Sequence, residues 1–345
     1  MDTRSEASEH APKVKLRFIQ PTRGLKVQEN LGGGISFSPQ FYLTNDRTRI
    51  AKLIDPGITV GMGLHFTDDT LRSEAVFYLE DDVSQADYDR GLFGVDEFVH
   101  YCMEFLLSVW TVKDHAIDLL PAILKISPPG KNPTHQVHSF GQLNFNASGK
   151  SDPIEFSLEE IRIACKYNQD WVQKLTRQSG PKTISAAPSQ AQTNFQSGSS
   201  RLFRFLCLLD RARTIPDLGV KIGLLCGGME SIFSSGSSEI THRVGERVAF
   251  FLEADGEKRK QVYDRVTEAY GIRSAVLHGD QIGKEKLPKL SDVCVQTEEI
   301  LRQSFRKIIL DPDKFRLFTD PKCEKDIKTF FDNLLFSIGH KEAIT

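Results

Sequence analysis

The sequence predicts an α+β domain followed by an all-α up-and-down helical bundle, and three observations lead there. Up to about residue 90, short runs rich in β-branched and aromatic residues alternate with clusters of Gly, Pro, Asn and Asp, the pattern of strands and turns. A stretch dominated by Ser, Gln, Gly, Ala, Thr and Pro, SGPKTISAAPSQAQTNFQSGSS, occupies residues 179–200. Beyond it, apolar residues recur at helical spacing with no strand pattern between them. With 345 residues, the chain is long enough for two cores.

Residues 1–12 read as a disordered tail. The runs VKLRF, ISFSPQFYL, ITVGMGLHF and EAVFYL read as strands, and VDEFVHYCMEFLLSVWTV, Val95 to Val112, as a buried helix. Strand-like LLPAILKI and HSFGQLNF follow. Ser157 and Glu160 form a capping-box signature ahead of Leu158, Ile161, Cys165, Trp171 and Leu175, which suits a helix of about 20 residues. These elements make one α+β domain over residues 13–178, joined by a flexible linker at 179–200 to a bundle over 201–345.

In the bundle the stripes are Leu202, Phe205, Leu209; Leu218, Ile222, Leu225, Met229, Phe233; and Ile240, Val244, Arg247, Phe251. Val262, Val266, Ala269, Arg273, Leu277 give a fourth, Val293, Thr297, Ile300, Ser304, Ile308 a fifth, and Ile327, Phe331, Leu334, Ile338 the last. Short polar joints such as SSGSS and GDQIGKEKLPK favour antiparallel neighbours.

Composition narrows the function classes. Forty-four Lys plus Arg against 46 Asp plus Glu give no basic excess, so any RNA contact is local. No window approaches the roughly 20 apolar residues of a membrane helix, and the N-terminus lacks the apolar segment of a secretion signal; a cytoplasmic protein is expected. Six cysteines lie far apart without a C-x-x-C pair and are expected to be reduced and mostly buried. His135 and His138 form an H-x-x-H with no third ligand marked, and no metal or other cofactor is expected. Gly32 to Gly34 lack the lysine of a phosphate-binding loop and read as a turn.

The segment RSAVLHG, residues 273–279, carries the sharpest question. Arg273 falls on an apolar stripe, where a charge needs a partner or an interface. His278 precedes Gly279, the residue type that ends helices in the left-handed conformation. Spacing alone is a poor signal, because RSEASEH, Arg4 to His10, satisfies the same pattern in the tail. Five helical residues separate two side chains by roughly 140°, so one chain makes an awkward site, whereas a two-fold dimer along this helix brings two arginines and two histidines together. The bland reading is that Arg273 bonds an acidic neighbour and His278 merely caps the helix.

The context of that segment resembles the HEPN superfamily of helical bundles, and within it the Apea-like group. The resemblance covers about residues 200–310 and rests on Met229-Glu230, Glu239-Ile240, Arg247-Val248-Ala249, and Tyr270-x-x-Arg273-Ser274 running to His278-Gly279. It implies a homodimeric, metal-independent ribonuclease of toxin, antiphage or RNA-processing systems, with catalytic roles at Arg273 and His278. The family often places Asn, Asp or His directly after the arginine, where this chain has Ser274. Some members have lost activity, so the rival expectation is a noncatalytic dimerisation or nucleotide-binding module with an N-terminal recognition domain.

RNA carries its own nucleophile, and histidine titrates near neutrality, so two copies of His278 suit the base and acid roles. Arg273 suits phosphate binding and stabilisation of the added charge, leaving 2′,3′-cyclic phosphate and 5′-hydroxyl ends. Ser274 is a phosphate-positioning candidate. Tyr270 either stacks on a base or packs in the core. Glu230 and Arg247 are read as a supporting ion pair or as solvated charges, and Lys258, Arg259 and Lys260 as RNA contacts or a solvated helix end. The N-terminal domain is expected to meet a trigger molecule or phage component.

Overall fold

The computed structural model describes residues 13–90, 93–139, 143–172, 195, 198–235 and 239–336. The expected tail, most of the linker and Ile338 lie outside them. The chain divides into two compact units: Met1–Leu143 with Ser151–Lys174, and Asn144–Lys150 with Leu175–Thr345. Residues 144–150, placed by the sequence in the first domain, thus belong to the second.

The first unit is built on an antiparallel sheet of order β3-β4-β5-β1-β7-β8, with β1 at Lys13–Arg23, β3 at Ile35–Ser38, β4 at Phe41–Thr44, β5 at Val76–Ser84, β7 at Ala122–Ser127 and β8 at Thr134–His138. Strand β6, Asp118–Leu119, pairs with β1, while β2, Leu25–Val27, and β9, Ile154–Phe156, form a separate parallel pair. Strand alternation sorts the apolar residues onto two faces. Phe18, Phe77, Leu79, Leu124 and Ile126 share a core with Phe98, Cys102, Phe105 and Val109 of α4, Val95–Val112. Ile19, Val76, Tyr78 and Ile123 face the other way, onto Ile50 and Leu53 of α1, Arg47–Leu53, and Ile58 and Phe66 of α2, Pro56–Arg72. Because both faces are covered, β5 reads as the unbroken apolar run VFYL.

Several sequence expectations change here. ITVGMGLHF is helical rather than extended: Asp55 caps the Ile58 amide and Pro56 occupies the first turn of α2, start signals that override its β-branched content. Gly63, at φ 81°, kinks this helix. The strand expected in HSFGQLNF lies earlier, at β8, and residues 140–142 are outside the described set. Helix α3 spans Gln85–Asp89. Ser157 and Glu160 make the expected capping box, α5 at Leu158–Tyr167 passes directly into a π-helical turn at Asn168–Val172, where the Asn168 side-chain amide donates to Phe37 O, and Leu175 lies outside the described residues. Gly34, at φ 112°, closes the glycine turn with its amide on Leu31 O.

The second unit is helical: α6 Arg201–Arg213, α7 Leu218–Phe233, α8 Ile240–Leu252, α9 Gly256–His278, α10 Leu290–Ile309, α11 Pro312–Thr319 and α12 Asp326–Leu335. Phe205, Ile222, Met229, Val244, Val266, Ile300, Ile308 and Phe331 of the expected stripes are buried. Helix α7 is the central element. Gly228 allows this close approach, because a Cβ there would stand 3.2 Å from the Phe205 ring of α6. Helix α9, at 23 residues, packs its first half on α8, where Tyr263 lies over Gly245, and its second half on α7, where Val276 meets Gly219. About 35 Å long, it turns Tyr270 and Ile272 inward, while Leu277, placed on the core stripe by its spacing, is 60% exposed although Val276 beside it meets Gly219.

Charged groups are built into this unit. Arg201 donates to the carbonyls of Ser231, Ile232 and Ser234 and pairs with Glu324, while Arg247 donates to Phe233 O at 2.7 Å and lies over the Phe331 ring. Together they neutralise the C-terminal end of α7, where helix carbonyls favour cations. Lys221, fully buried, donates to Phe145 O at 3.1 Å and Asn146 O at 2.5 Å, and the Phe145 amide donates to Arg213 O. These bonds fasten residues 144–150 to the helices. Among the described residues, no helix is long and apolar enough to cross a membrane.

Candidate functional site

Met229-Glu230 lies near the end of α7 and Tyr270-x-x-Arg273 near the end of α9, and the packing of these helices brings Glu230, Tyr270 and Arg273 together. Arg273 Nη2 stands 3.1 Å from Glu230 Oε1, an ion pair with side chains 29% and 23% exposed. The contact lacks hydrogen-bond alignment. Glu230 Oε1, Arg273 Nε and the Tyr270 hydroxyl are buried without an aligned hydrogen bond. They lie at one spot, where Glu230 faces both the Arg273 guanidinium and the Tyr270 hydroxyl.

Tyr270 is 3% exposed, and its ring lies 5.9 Å from the Arg273 guanidinium. Core packing is thus its principal role, with its hydroxyl facing Glu230. Burial, and then the Glu230 charge, push the phenol far above its ordinary range, so it keeps its proton. Burial and Glu230 likewise push up the thiol of Cys226, one helical turn before Glu230. Sequence reasoning missed Cys226; its i, i+4 relation to Glu230 was the available signal.

Ser274 and His278 are solvent-exposed, as is Leu277 between them. His278 ends α9, and Gly279 takes the left-handed conformation at φ 75°, its amide on Ala275 O and Val276 O. The cap read from the sequence is present, with the imidazole directed to solvent rather than into the bundle. Arg273 and His278 lie on the same helix, about 7.5 Å apart along its axis and roughly 140° around it.

The other candidates stand apart. Arg247 pairs neither with Glu230 nor with solvent: it is 5% exposed and holds Phe233 O, so the expected partnership is replaced by Glu230–Arg273. Lys258, Arg259 and Lys260 occupy the first turn of α9, about 30 Å from His278 along the helix. Arg259 donates to Glu253 O and lies over Phe250, Lys260 pairs with Asp264, and Lys258 is exposed. In the first unit, His138 pairs with Asp96 and His135 packs on Gly61. Among the described residues, no three His, Cys, Asp or Glu converge as metal ligands. Five of the six cysteines are buried, and none forms a disulfide.

The far side of Glu230 opens into a cavity of about 640 Å³ between α6, the end of α7 and the start of α12. Arg201, Arg204, Lys325 and Lys328 contribute positive charge there. Comparison with protein families, curated proteins and solved structures finds no match to the chain.

Proposed function

We propose that the helical unit is a HEPN-type, metal-independent endoribonuclease that works as a homodimer in antiphage defence or toxin-like growth arrest. The observation that carries this reading is the partly exposed contact of Arg273 with Glu230 beside the buried Tyr270, Arg273 standing on the same helix end as an exposed His278. Glu230 and Tyr270 position the guanidinium, which retains donors for a phosphate. Paired across a two-fold axis, the His278 imidazoles supply the base for the 2′-hydroxyl and the acid for the departing 5′-oxygen, while Arg273 stabilises the pentacoordinate phosphorus. Exposed Leu277 and Ser274 belong to the face that meets the second copy and the RNA. The N-terminal unit senses the trigger, a small molecule or phage component, and the protein acts in the cytoplasm.

A second reading, a noncatalytic dimerisation or nucleotide-binding module, is favoured by the pairing of Arg273 with Glu230 in the free chain, which a phosphate must displace. Incubation of wild type, Arg273→Ala and His278→Ala with total cellular RNA in EDTA separates the two. Cleavage by wild type alone, with cyclic phosphate ends and a loss of at least about 100-fold in His278→Ala, is the expected result. Cleavage that survives His278→Ala rules out the mechanism, and folded, dimeric wild type that cuts no RNA favours the module.

A further inference from the structure

The antiparallel sheet of the N-terminal unit ends on β3 at one side and on β8 at the other, and the two edges are finished differently. On β3 the register slips between Ser36 and Ser38, and the Phe37 carbonyl accepts the Asn168 side-chain amide. Bulges and caps of this kind keep an edge from pairing. Strand β8 has neither: it pairs with β7 in unbroken register, and no lysine or proline stands between Thr134 and His138. Among the described residues, no strand pairs with its outer side. Thr134, Gln136 and Val137 are exposed, although Ile123, the register partner of Val137, is buried in the core under α1 and α2. Helix α2 runs beside the same strand, since a Cβ on Gly61 would stand 3.0 Å from the His135 ring. Next to Gly61, Val60 is 87% exposed, and Leu64, just past the kink, is 78% exposed. An open strand edge with an apolar flank is a pairing surface.

Charge decides what fits this edge. At the His138 end, the first turn of α4 holds Asp96 and Glu97 in solvent, with Asp96 in contact with His138. At the Thr134 end, the turn before β8 carries Lys131, exposed and without an ion pair among the described residues. One end is acidic and the other basic. A segment of uniform charge is repelled at one of them, whereas a second copy running antiparallel is attracted at both. We propose that β8 pairs antiparallel with β8 of a second copy of this chain, about a two-fold axis at Gln136. His138 then lies opposite Thr134 of the partner subunit, and Asp96 approaches Lys131 of the partner subunit. Val137 lies opposite His135 of the partner subunit, next to Val60 of the partner subunit, so the exposed apolar groups cover one another. This contact is separate from the helical face assigned to the catalytic dimer, and it stands whether or not the chain cuts RNA.

The test is sedimentation equilibrium of the full chain carrying Leu277→Asp, which removes any contact through the helical face. One short strand and its apolar flank make a small interface, so the expected result is a monomer at about 2 µM and a dimer at about 200 µM, with a midpoint near about 50 µM. Val137→Lys puts a charge on the edge and is expected to weaken association at least about tenfold, with circular dichroism and melting temperature unchanged because the side chain is exposed. Lys131→Glu and Asp96→Lys each set like charges against one another and are expected to weaken association by about tenfold, while both in one chain restore it to within about threefold of the starting value. Oxidation of Gln136→Cys is expected to join two chains covalently, whereas Thr134→Cys, off the axis, stays single. A chain still monomeric at about 200 µM overturns the proposal and leaves the edge to a segment of a different protein. So does association that Val137→Lys leaves unchanged, or a charge-swapped chain that associates no more tightly than either single variant.

Discussion

In the N-terminal unit, Phe18, Phe37, Phe77, Phe105 and Phe156 fill the core, and the charged network of Arg17, Asp55, Glu80, Arg49 and Lys125 lies partly exposed outside it. In the helical unit, Lys221, Arg247, Glu298 and Arg302 are each buried to within a few per cent, and Glu230 and Arg273 lie partly exposed beside the buried Tyr270. Burying charge costs several kcal/mol unless every partner is supplied, whereas aromatic packing needs only shape. The first unit buries few charges, Glu104 and Asp118, each beside a partner, His100 or Arg23. The second buries more, Arg201, Arg213, Lys221, Arg247, Glu298 and Arg302, and the proposed site falls on it.

That contrast can be broken by substitution. The largest expected effect is in the apolar core: Phe105→Ala should cost about 3–5 kcal/mol, measured by denaturant unfolding. Lys221→Ala should cost about 2–3 kcal/mol, because it takes the donor from two partly buried carbonyls; Lys221→Arg restoring full stability would show that charge rather than geometry matters there.

Acid acts more gently, and on both units, since Glu299 and Asp311 of the helical unit are held down as Asp55 is. Burial alone would raise the Asp55 carboxyl, but the Lys125 ammonium, the Ile58 amide and Arg17 outweigh it and hold it below the usual range. A carboxyl depressed in the folded state stabilises above its unfolded pKa of about 3.9 and loses that contribution as pH falls through the folded value. Urea midpoints should therefore fall below pH 4, and Lys125→Met should flatten that dependence. The smallest effect belongs to Leu277→Asp, expected within about 0.5 kcal/mol of wild type because the side chain faces solvent. If that face meets a second copy, the variant sediments as a monomer while retaining its fold.

The sequence was most informative where local chemistry decides. VDEFVHYCMEFLLSVWTV became α4 with the expected ends, and Ser157 with Glu160 started α5, because periodicity and capping act within a few residues. ITVGMGLHF misled through its β-branched content, though Asp55-Pro56 just before it carried the stronger signal. Residues Glu230, Tyr270 and Arg273 were all visible, but for Glu230 the sequence offered only a pair with Arg247 or solvation, because which arginine reaches it depends on how α7, α8 and α9 cross. Leu277 failed for a related reason: spacing put it on the core stripe, but at this end of α9 Val276 is the side chain that meets α7.

The fastening of residues 144–150 to Lys221 also means that the helical unit is not one contiguous stretch of coding sequence. A gene fragment opening at residue 175 or 201 would encode every helix of the bundle yet omit the carbonyls that Lys221 was buried to meet. Recombination at the low-complexity stretch would therefore transplant the bundle without two of the acceptors of its buried Lys221 ammonium. A portable version must carry the seven-residue strap with it, supplied ahead of the helices or added in trans as a peptide.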